Sequence, residues 1–587
     1  MHKPYRSALG GRVFQSVTWL KNFATDWKTR PPKLSLAVAV CVIAGCAVGP
    51  DYKEPEVTVP PAWHAAQAGG ITSAPADVTK WWEVFGDERL NALVEEAATS
   101  NYDIRIAEAR VREARAARGV VAADLYPQVG VSGSYRRVHL QGQDSQDPTL
   151  SLGANINDVS LSRNTTLRTG DFTANASSSI TRLSTIIGGA MSGGTGQGGQ
   201  VGGGSLLNPF QNRSVSFTPN STPSFDRTQD LYQAGFDASW ELDVFGGNRR
   251  AVEAAEADIA ASSEFRRDVL VSLLAEVARN YLTLREAQAR HDIANENIAA
   301  QQNTVDITQS RFDAGLTSEL DVTRARAQLA ATRSQVPAIE NIITSTIYRL
   351  SVLMGKNPAD IYDELVVEKP LPPAPPQVPA GMPSDLLRRR ADVRQAEREL
   401  AAATARIGEA MADLFPKFSL TGNFGFQSDR IGDLTVGANQ IWGFGPAVSF
   451  PLFDAGRIRA NIEVQNARQE QALLRYEQAV KQSFGDAETS LVAYAKEQER
   501  YVALDTAEAA NRRAVELANE RYVRGLDDFV NVLDAQRSLY ATQDQRVQSQ
   551  TTILLNLVTL YKALGGGWES FETVAAEPAQ GSTTGQG

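Results

Sequence analysis

Cysteine is almost missing from this chain: the only two, Cys41 and Cys46, sit near the N-terminus, so the body of the protein has no disulfide framework and no cysteine zinc site. Histidine is as scarce. His2, His64, His139 and His291 are scattered, and none has a metal-ligand partner one helical turn away, so no metal centre is expected. No nucleophile–base pair or P-loop stands out, and the chain reads as a non-enzyme without a cofactor. Excess positive charge is lacking too. A net charge of −10 and a pI near 5.3 argue against a nucleic-acid partner. With 42% apolar and 21% charged residues, the chain is nonetheless globular in composition and not disordered throughout.

The apolar run over 34–45 is too short to span a bilayer and suits the core of a signal peptide. Lys28, Arg30 and Lys33 precede it, and it ends in Ile43-Ala44-Gly45-Cys46, which resembles the lipobox of bacterial lipoproteins. That resemblance implies a signal peptide over 1–45 that carries Cys41 away. The mature chain would start at Cys46 with several acyl chains, palmitate among them, enough for stable anchoring. The following residue is Ala47, not aspartate, which by the same resemblance favours sorting to the outer membrane.

An extended, weakly structured arm is expected over 46–87, because 49–79 is rich in proline and alanine. From 88 to 124 an apolar stripe of Leu90, Leu93, Val94, Ala97, Ile104, Ala107, Val111 and Ala114 predicts one helix. After Pro127 the period changes from 3.6 to 2: Val129, Val131, Gly133 and Tyr135 alternate with small or polar residues, as in a strand with one greasy face. The stretch 139–230 is dominated by Gly, Ser, Thr, Asn and Gln and is expected to be a long exposed loop. Its Gly194, Gly196 and Gly199 satisfy a G-x-G-x-x-G pattern, but no strand-turn-helix frames them. Alternation resumes with Tyr232, Ala234, Phe236, Ala238 and Trp240. A proline-free helical pattern then runs to Phe312; about 64 residues at ~1.5 Å each make a helix of roughly 96 Å. Its frequent Glu, Arg, Gln and Asn exclude a membrane span and indicate a coiled-coil-like element in water. A tip and a returning helix over about 317–354 complete the unit.

Everything then recurs. Asp413-Leu414-Phe415-Pro416 repeats Asp124-Leu125-Tyr126-Pro127, and setting Arg311 on Arg521 also matches Phe312 with Tyr522, Gly315 with Gly525, Leu316 with Leu526, Val322 with Val532 and Leu329 with Leu539. Phe418, Leu420, Phe424 and Phe426, and later Trp442, Phe444, Val448 and Phe450, supply two more alternating segments. The expected organisation is therefore a first structural repeat over 88–365, a proline-rich connector over 366–383, a second repeat over 384–566 and a flexible tail over 567–587. Four strands of membrane-spanning length cannot close a barrel, and an open edge cannot survive in lipid, so strands must be pooled between chains.

Four stretches carry a resemblance that covers essentially the whole mature chain: Cys46-Ala47-Val48-Gly49-Pro50-Asp51-Tyr52; Trp81-Trp82 with Phe85-Gly86-Asp87; Pro383-Ser384-Asp385-Leu386-Leu387-Arg388-Arg389-Arg390; and Arg521-Tyr522 through Leu533-Asp534-Ala535-Gln536-Arg537. The chain resembles the TolC/OprM-type outer-membrane factors of tripartite efflux pumps, in their lipoprotein (NodT-like) branch. It departs from the family at Ala391, where proline is usual, and in the long 139–230 segment. The resemblance implies an α+β membrane protein of a Gram-negative outer membrane. In it a homotrimer forms a twelve-stranded β-barrel, four strands per chain, continued by a long α-helical coiled-coil tunnel in the periplasm. It further implies a passive exit duct for small molecules or drugs, with a periplasmic adaptor and a proton-driven inner-membrane transporter as partners. Alternatives are the outer-membrane channel of a one-step protein secretion system and a periplasmic coiled-coil adaptor or scaffold, the latter lacking membrane-length strands.

The resemblance also assigns sites. Val530, Asp534 and Arg537, spaced by four and three along one helix face, match the family's periplasmic gate. Gly315, Leu316, Gly525 and Leu526 match the tips on which the adaptor docks, and Cys46 is the lipidation site.

Overall fold

A computed structural model describes residues 47–64, 71–72, 74, 77–139, 149–156, 159–166, 228–375 and 378–572. In chain order the elements are β1 (Ile71–Thr72), a 3-10 turn (Trp81–Phe85), α1 (Glu88–Ser100), α2 (Tyr102–Ala123), β2 (Gln128–His139), β3 (Thr149–Ile156), β4 (Val159–Thr166), β5 (Thr228–Leu242), α3 (Gly247–Asp313), α4 (Glu319–Arg333), α5 (Val336–Leu353) and α6 (Tyr362–Leu365). They continue with β6 (Val378–Pro379), α7 (Asp385–Arg389), α8 (Ala391–Ala412), β7 (Lys417–Ser428), β8 (Gln440–Ser449), α9 (Arg457–Val523) and α10 (Phe529–Ala563). Two units result. One holds the helices (1–123, 243–416 and 450–587), the other the longer strands (124–242 and 417–449).

In the helical unit α3 and α9 are each continuous over 67 residues, roughly 100 Å at ~1.5 Å per residue. Each starts after a glycine in the left-handed region, Gly246 at φ 78° and Gly456 at φ 83°. The middle of α3 buries Leu270, Leu273, Leu274, Val277, Ala278, Tyr281 and Leu284, a broad apolar face at helical spacing. Against it lie Leu90, Leu93 and Val94 of α1, Ile347 and Leu350 of α5, and Leu554, Leu557 and Tyr561 of α10. Trp81 and Trp82 close this core. Trp81 stacks on Tyr561 at 5.6 Å and Trp82 on Phe571 at 5.8 Å. Toward its C-terminal end α3 buries a narrower seam of Ala294, Asn297, Gln301, Val305 and Thr308, the spacing of a coiled coil. No helix among the described residues is long and apolar enough to cross a membrane, which says nothing of a β-barrel.

Residues 567–572, the start of the expected flexible tail, are instead packed, with Trp568 buried and Phe571 stacked on Trp82, and three further expectations need correction. The helix expected over 88–124 is two, because Asn101 leaves helical geometry at φ −61°, ψ 139°. Its side chain caps α2 by accepting from the Asp103 N–H at 2.7 Å, and it donates to the Leu353 carbonyl at 2.9 Å. The returning helix over 317–354 is likewise two. Pro337 in the first turn of α5 has no N–H to continue a helix, and the chain turns at Ser334–Gln335. In the second half the returning helix α10 is unbroken over 35 residues, with Val547 where the repeat alignment places Pro337.

The described part of the N-terminal arm is extended but fixed, and this is the third correction. Val48 N–H donates to the Phe245 carbonyl at 3.0 Å, Arg250 donates to Asp51 at 2.6 Å, and Tyr52 donates to Glu397 at 3.1 Å. Further along, Trp63 donates to the Gly381 carbonyl at 3.0 Å and β1 pairs in parallel with β6. The crossing over α8 depends on Gly408, where a Cβ would lie 2.8 Å from the Val48 carbonyl oxygen and 2.9 Å from Arg250 Cγ. Overpacking of this kind costs about 1–3 kcal/mol. Gly408→Leu is therefore expected to release the arm and speed tryptic cleavage after Lys53 several-fold while far-UV circular dichroism stays unchanged; an unaltered cleavage rate would mean that the arm does not need this crossing.

In the strand unit the order is β2-β5-β7-β8, all antiparallel. Val131, Phe236, Phe424 and Trp442 stand opposite one another across the four strands, and all four are exposed. They form an apolar row on one face. The other face is polar, with Ser132 donating to Asp237 at 2.8 Å. At the β5–β7 seam Gly235 faces Gly425, and a Cβ on Gly235 would lie 2.7 Å from the Phe424 carbonyl oxygen, so this approach requires glycine. The outer edges of β2 and β8 pair with nothing among the described residues. Within the 139–230 segment, β3 and β4 pair as an antiparallel hairpin.

Candidate functional site

The two helical hairpins of the helical unit end in matching turns. Helix α3 closes with Gly315 at φ 72°, its N–H donating to the Phe312 carbonyl at 2.8 Å, and Leu316 N–H donating back to Arg311 at 2.8 Å. Helix α9 closes with Gly525 at φ 71°, with Gly525 to Tyr522 and Leu526 to Arg521, each at 2.9 Å. Both are Schellman motifs, whose positive φ favours glycine. Such a motif commonly buries its last residue against an apolar residue five positions earlier. Here those positions are Arg311 and Arg521, so Leu316 and Leu526 stay 65% and 63% exposed.

The turns differ in how their loops are tied. In the first, Thr317 donates to Asp321 at 2.6 Å. In the second, Asp527 accepts from Asn531 and from Arg521 Nε. Those two bonds, in that order, together with the Asp528 N–H, hold the Asp527 carboxyl below the usual carboxylate range.

The hairpins are also joined to each other. Arg311 donates to the Val523 carbonyl at 2.9 Å and lies over the Tyr522 ring at 4.8 Å. Tyr522, Phe529, Val532 and Leu533 form a small core with Val305, Ala325 and Leu329. Gln536 donates to Thr304 at 3.0 Å and Arg537 to Gln328 at 2.8 Å.

Opposite that core, Val530, Asp534 and Arg537 share the exposed face of α10. Arg537 is committed to Gln328, and Asp534 has no hydrogen bond or ion pair with any described residue. The two do not pair with each other. Beside the first tip lies a cleft of about 370 Å³ lined by Asp306, Ile307, Ser310, Arg311, Ala314, Leu316 and Val523. The structure thus brings Leu316 to the wall of a cleft, while Gly525 and Leu526 lie just beyond Val523. Sequence reasoning missed Arg311, Ile307 and Val523. Their signal was the arginine standing where a Schellman turn usually has an apolar partner. Cys46 lies outside the described residues.

A family model described as "Outer membrane efflux protein" matches residues 208–356 and 382–566. The chain is 29% identical over 540 residues to the toluene efflux pump outer membrane protein TtgC of Pseudomonas putida, covering 91% of this chain and 95% of that one. It is 29% identical over 539 residues to the pyoverdine export outer membrane protein OpmQ of Pseudomonas aeruginosa, with 92% and 97% covered. Among solved structures, the outer-membrane channel OprN aligns with a TM-score of 0.70 and 32% identity over 89% of this chain and all of that chain. CusC, solved as a transmembrane channel, aligns with a TM-score of 0.67 and 25% identity over the same shares.

Proposed function

The chain belongs to the outer membrane efflux protein family, and from that premise we infer that it is the outer-membrane exit duct of a tripartite efflux system. The observation that carries this reading is the four-stranded sheet, apolar and exposed along one face and unpaired at both edges among the described residues. In lipid each unpaired backbone group costs several kcal/mol, so such a sheet is stable only when other chains complete the ring. Three copies would give a twelve-stranded barrel, and their long helix pairs a tunnel through the periplasm. The lipidated Cys46, left after loss of 1–45, adds an anchor in the same membrane. Two structural repeats, 88–365 and 384–566, joined by 366–383, would place two hairpins per chain around the tunnel.

The duct hydrolyses nothing. An inner-membrane transporter supplies the energy, and a periplasmic adaptor links the two. The relatives are described as acting on toluene, solvents and pyoverdine, which supports small-molecule cargo here. Deleting the gene is expected to raise susceptibility to small amphiphilic drugs or solvents by at least several-fold, restored by the wild-type gene, with heat-resistant trimers in outer-membrane fractions. A deletion strain that keeps its resistance and loses a secreted protein would point instead to one-step protein secretion.

The adaptor would dock where Leu316 and Leu526 project from the tips, beside the cleft ending at Val523. Burying a leucine contributes about 1.5–3 kcal/mol. Leu316→Asp with Leu526→Asp is accordingly expected to abolish adaptor cross-linking and reproduce the deletion phenotype while trimers still reach the membrane; full resistance in this double variant would remove the tips from the docking surface.

A further inference from the structure

Near the middle of the helical unit, a histidine and three carboxylates converge from three segments. His291 and Asp292 lie on α3, Glu340 on α5 and Glu368 in the segment that follows α6. The ligand atoms of His291, Asp292 and Glu368 all lie within 4.8 Å of one another. His291 Nδ1 is 3.0 Å from Glu368, and Nε2, on the other ring edge, is 3.9 Å from Glu340.

The one basic group in this cluster is His291 itself. Several carboxylates elsewhere along α3 meet arginines: Glu264 meets Arg267 and Arg394, Glu276 meets Arg349, and Glu286, together with Asp544 of α10, meets Arg290. Among the described residues no lysine or arginine forms an ion pair with Asp292, Glu340 or Glu368.

The groups are also held in place from outside the cluster. Gln288 donates to the Leu365 carbonyl at 2.9 Å, and the buried Arg285 donates to the Val367 carbonyl at 3.0 Å. Glu368 is thereby set over α3 by backbone contacts it does not make itself, and Asn295 approaches the His291 ring from the next turn at 3.3 Å.

We propose that His291, Asp292 and Glu368 form a site for a divalent transition cation of the zinc class, tying the segment around Glu368 to α3. Imidazole with carboxylates suits zinc and its late first-row neighbours, whereas magnesium and calcium take oxygen ligands. Zinc–ligand bonds of about 2.0–2.2 Å place ligand atoms roughly 3–4 Å apart, a closure that side-chain rotation supplies. Nδ1 faces Glu368 and is the ligand. Nε2 is left on the side of Glu340, whose carboxylate at 3.9 Å would have to close on it to orient the ring and raise its basicity. One or more coordination positions remain for water. Sequence spacing could not reveal this site, because Glu368 comes from 77 residues away and not from the next turn of the helix.

The test uses untagged full-length protein in detergent, stripped with chelator and titrated with Zn²⁺ alone at pH 7.5. One Zn²⁺ per chain is expected, with a dissociation constant of roughly 10 µM or tighter and a raised thermal midpoint. His291→Ala and the near-isosteric Glu368→Gln should each weaken binding at least about tenfold, and Glu340→Gln less. With Cu²⁺ as a probe, electron paramagnetic resonance should show nitrogen coupling that His291→Ala removes. His64 and His139 remain in every variant and serve as internal controls. Binding weaker than about 100 µM in the wild type overturns the proposal. So does Zn²⁺ affinity in Glu368→Gln equal to that of the wild type.

Discussion

Replacing Asp534 by alanine is expected to raise the resting conductance of the channel in planar bilayers several-fold and to admit larger antibiotics. Among the described residues of its own chain Asp534 has no polar partner, and Arg537 is occupied by Gln328. In the proposed trimer the acceptor capacity of Asp534 would therefore be free for arginines of neighbouring copies. Two opposing terms meet there. Carboxylates ~6 Å apart at an effective dielectric of about 20 repel by roughly 3 kcal/mol, while each charge-assisted hydrogen bond contributes about 1.5–3 kcal/mol. If those bonds hold the constriction, removing three acceptors opens it, and Asp534→Asn, which keeps an acceptor oxygen but no charge, should fall between. An unchanged or lowered resting conductance in Asp534→Ala would take the gate away from this position.

Trp81→Ala should destabilise the helical unit by about 3–5 kcal/mol, the usual cost of emptying a large buried aromatic site. Trp81 is 1% exposed, stacks on Tyr561 and meets Trp82 and Phe85 edge-on. It therefore joins the segment before α1 to the end of α10. Trp81→Phe keeps a ring against Tyr561 and should lose roughly half as much. Urea denaturation followed by circular dichroism at 222 nm measures both; a loss below about 1 kcal/mol for Trp81→Ala would show that the core closes without it.

The long helices were legible because proline and glycine are missing between Gly247 and Gly315, and the strands because alternation survives in all four. The breaks were less so. Asn101 is unremarkable in a helical pattern, and what favours its cap is the Leu353 carbonyl, 252 residues away. Pro337 was visible, but an apolar run on both sides of it still carries a helical period. The arm's proline-rich composition gave its extended form and concealed its attachment, since Gly408 belongs to another helix. At the tips, glycine and leucine positions could be read from the repeat. The Arg311 bond to Val523 could not, because the same residue in the second copy, Arg521, turns to Asp527 instead.

The uneven returning helices make one half of the chain mechanically stiffer than the other. Helix α10 runs unbroken from Phe529 to Ala563, a rod of roughly 50 Å that carries Asp534 near one end and the Tyr561 stack at the other. Bending in helices concentrates at breaks and prolines, so the α4–α5 pair yields at Ser334–Gln335 where α10 does not. In the proposed duct a push on the second tip would travel along a lever to the core, and a push on the first would be absorbed at a joint. The half with the candidate gate would thus serve as the arm of the device, and the half with Pro337 as its compliant mount.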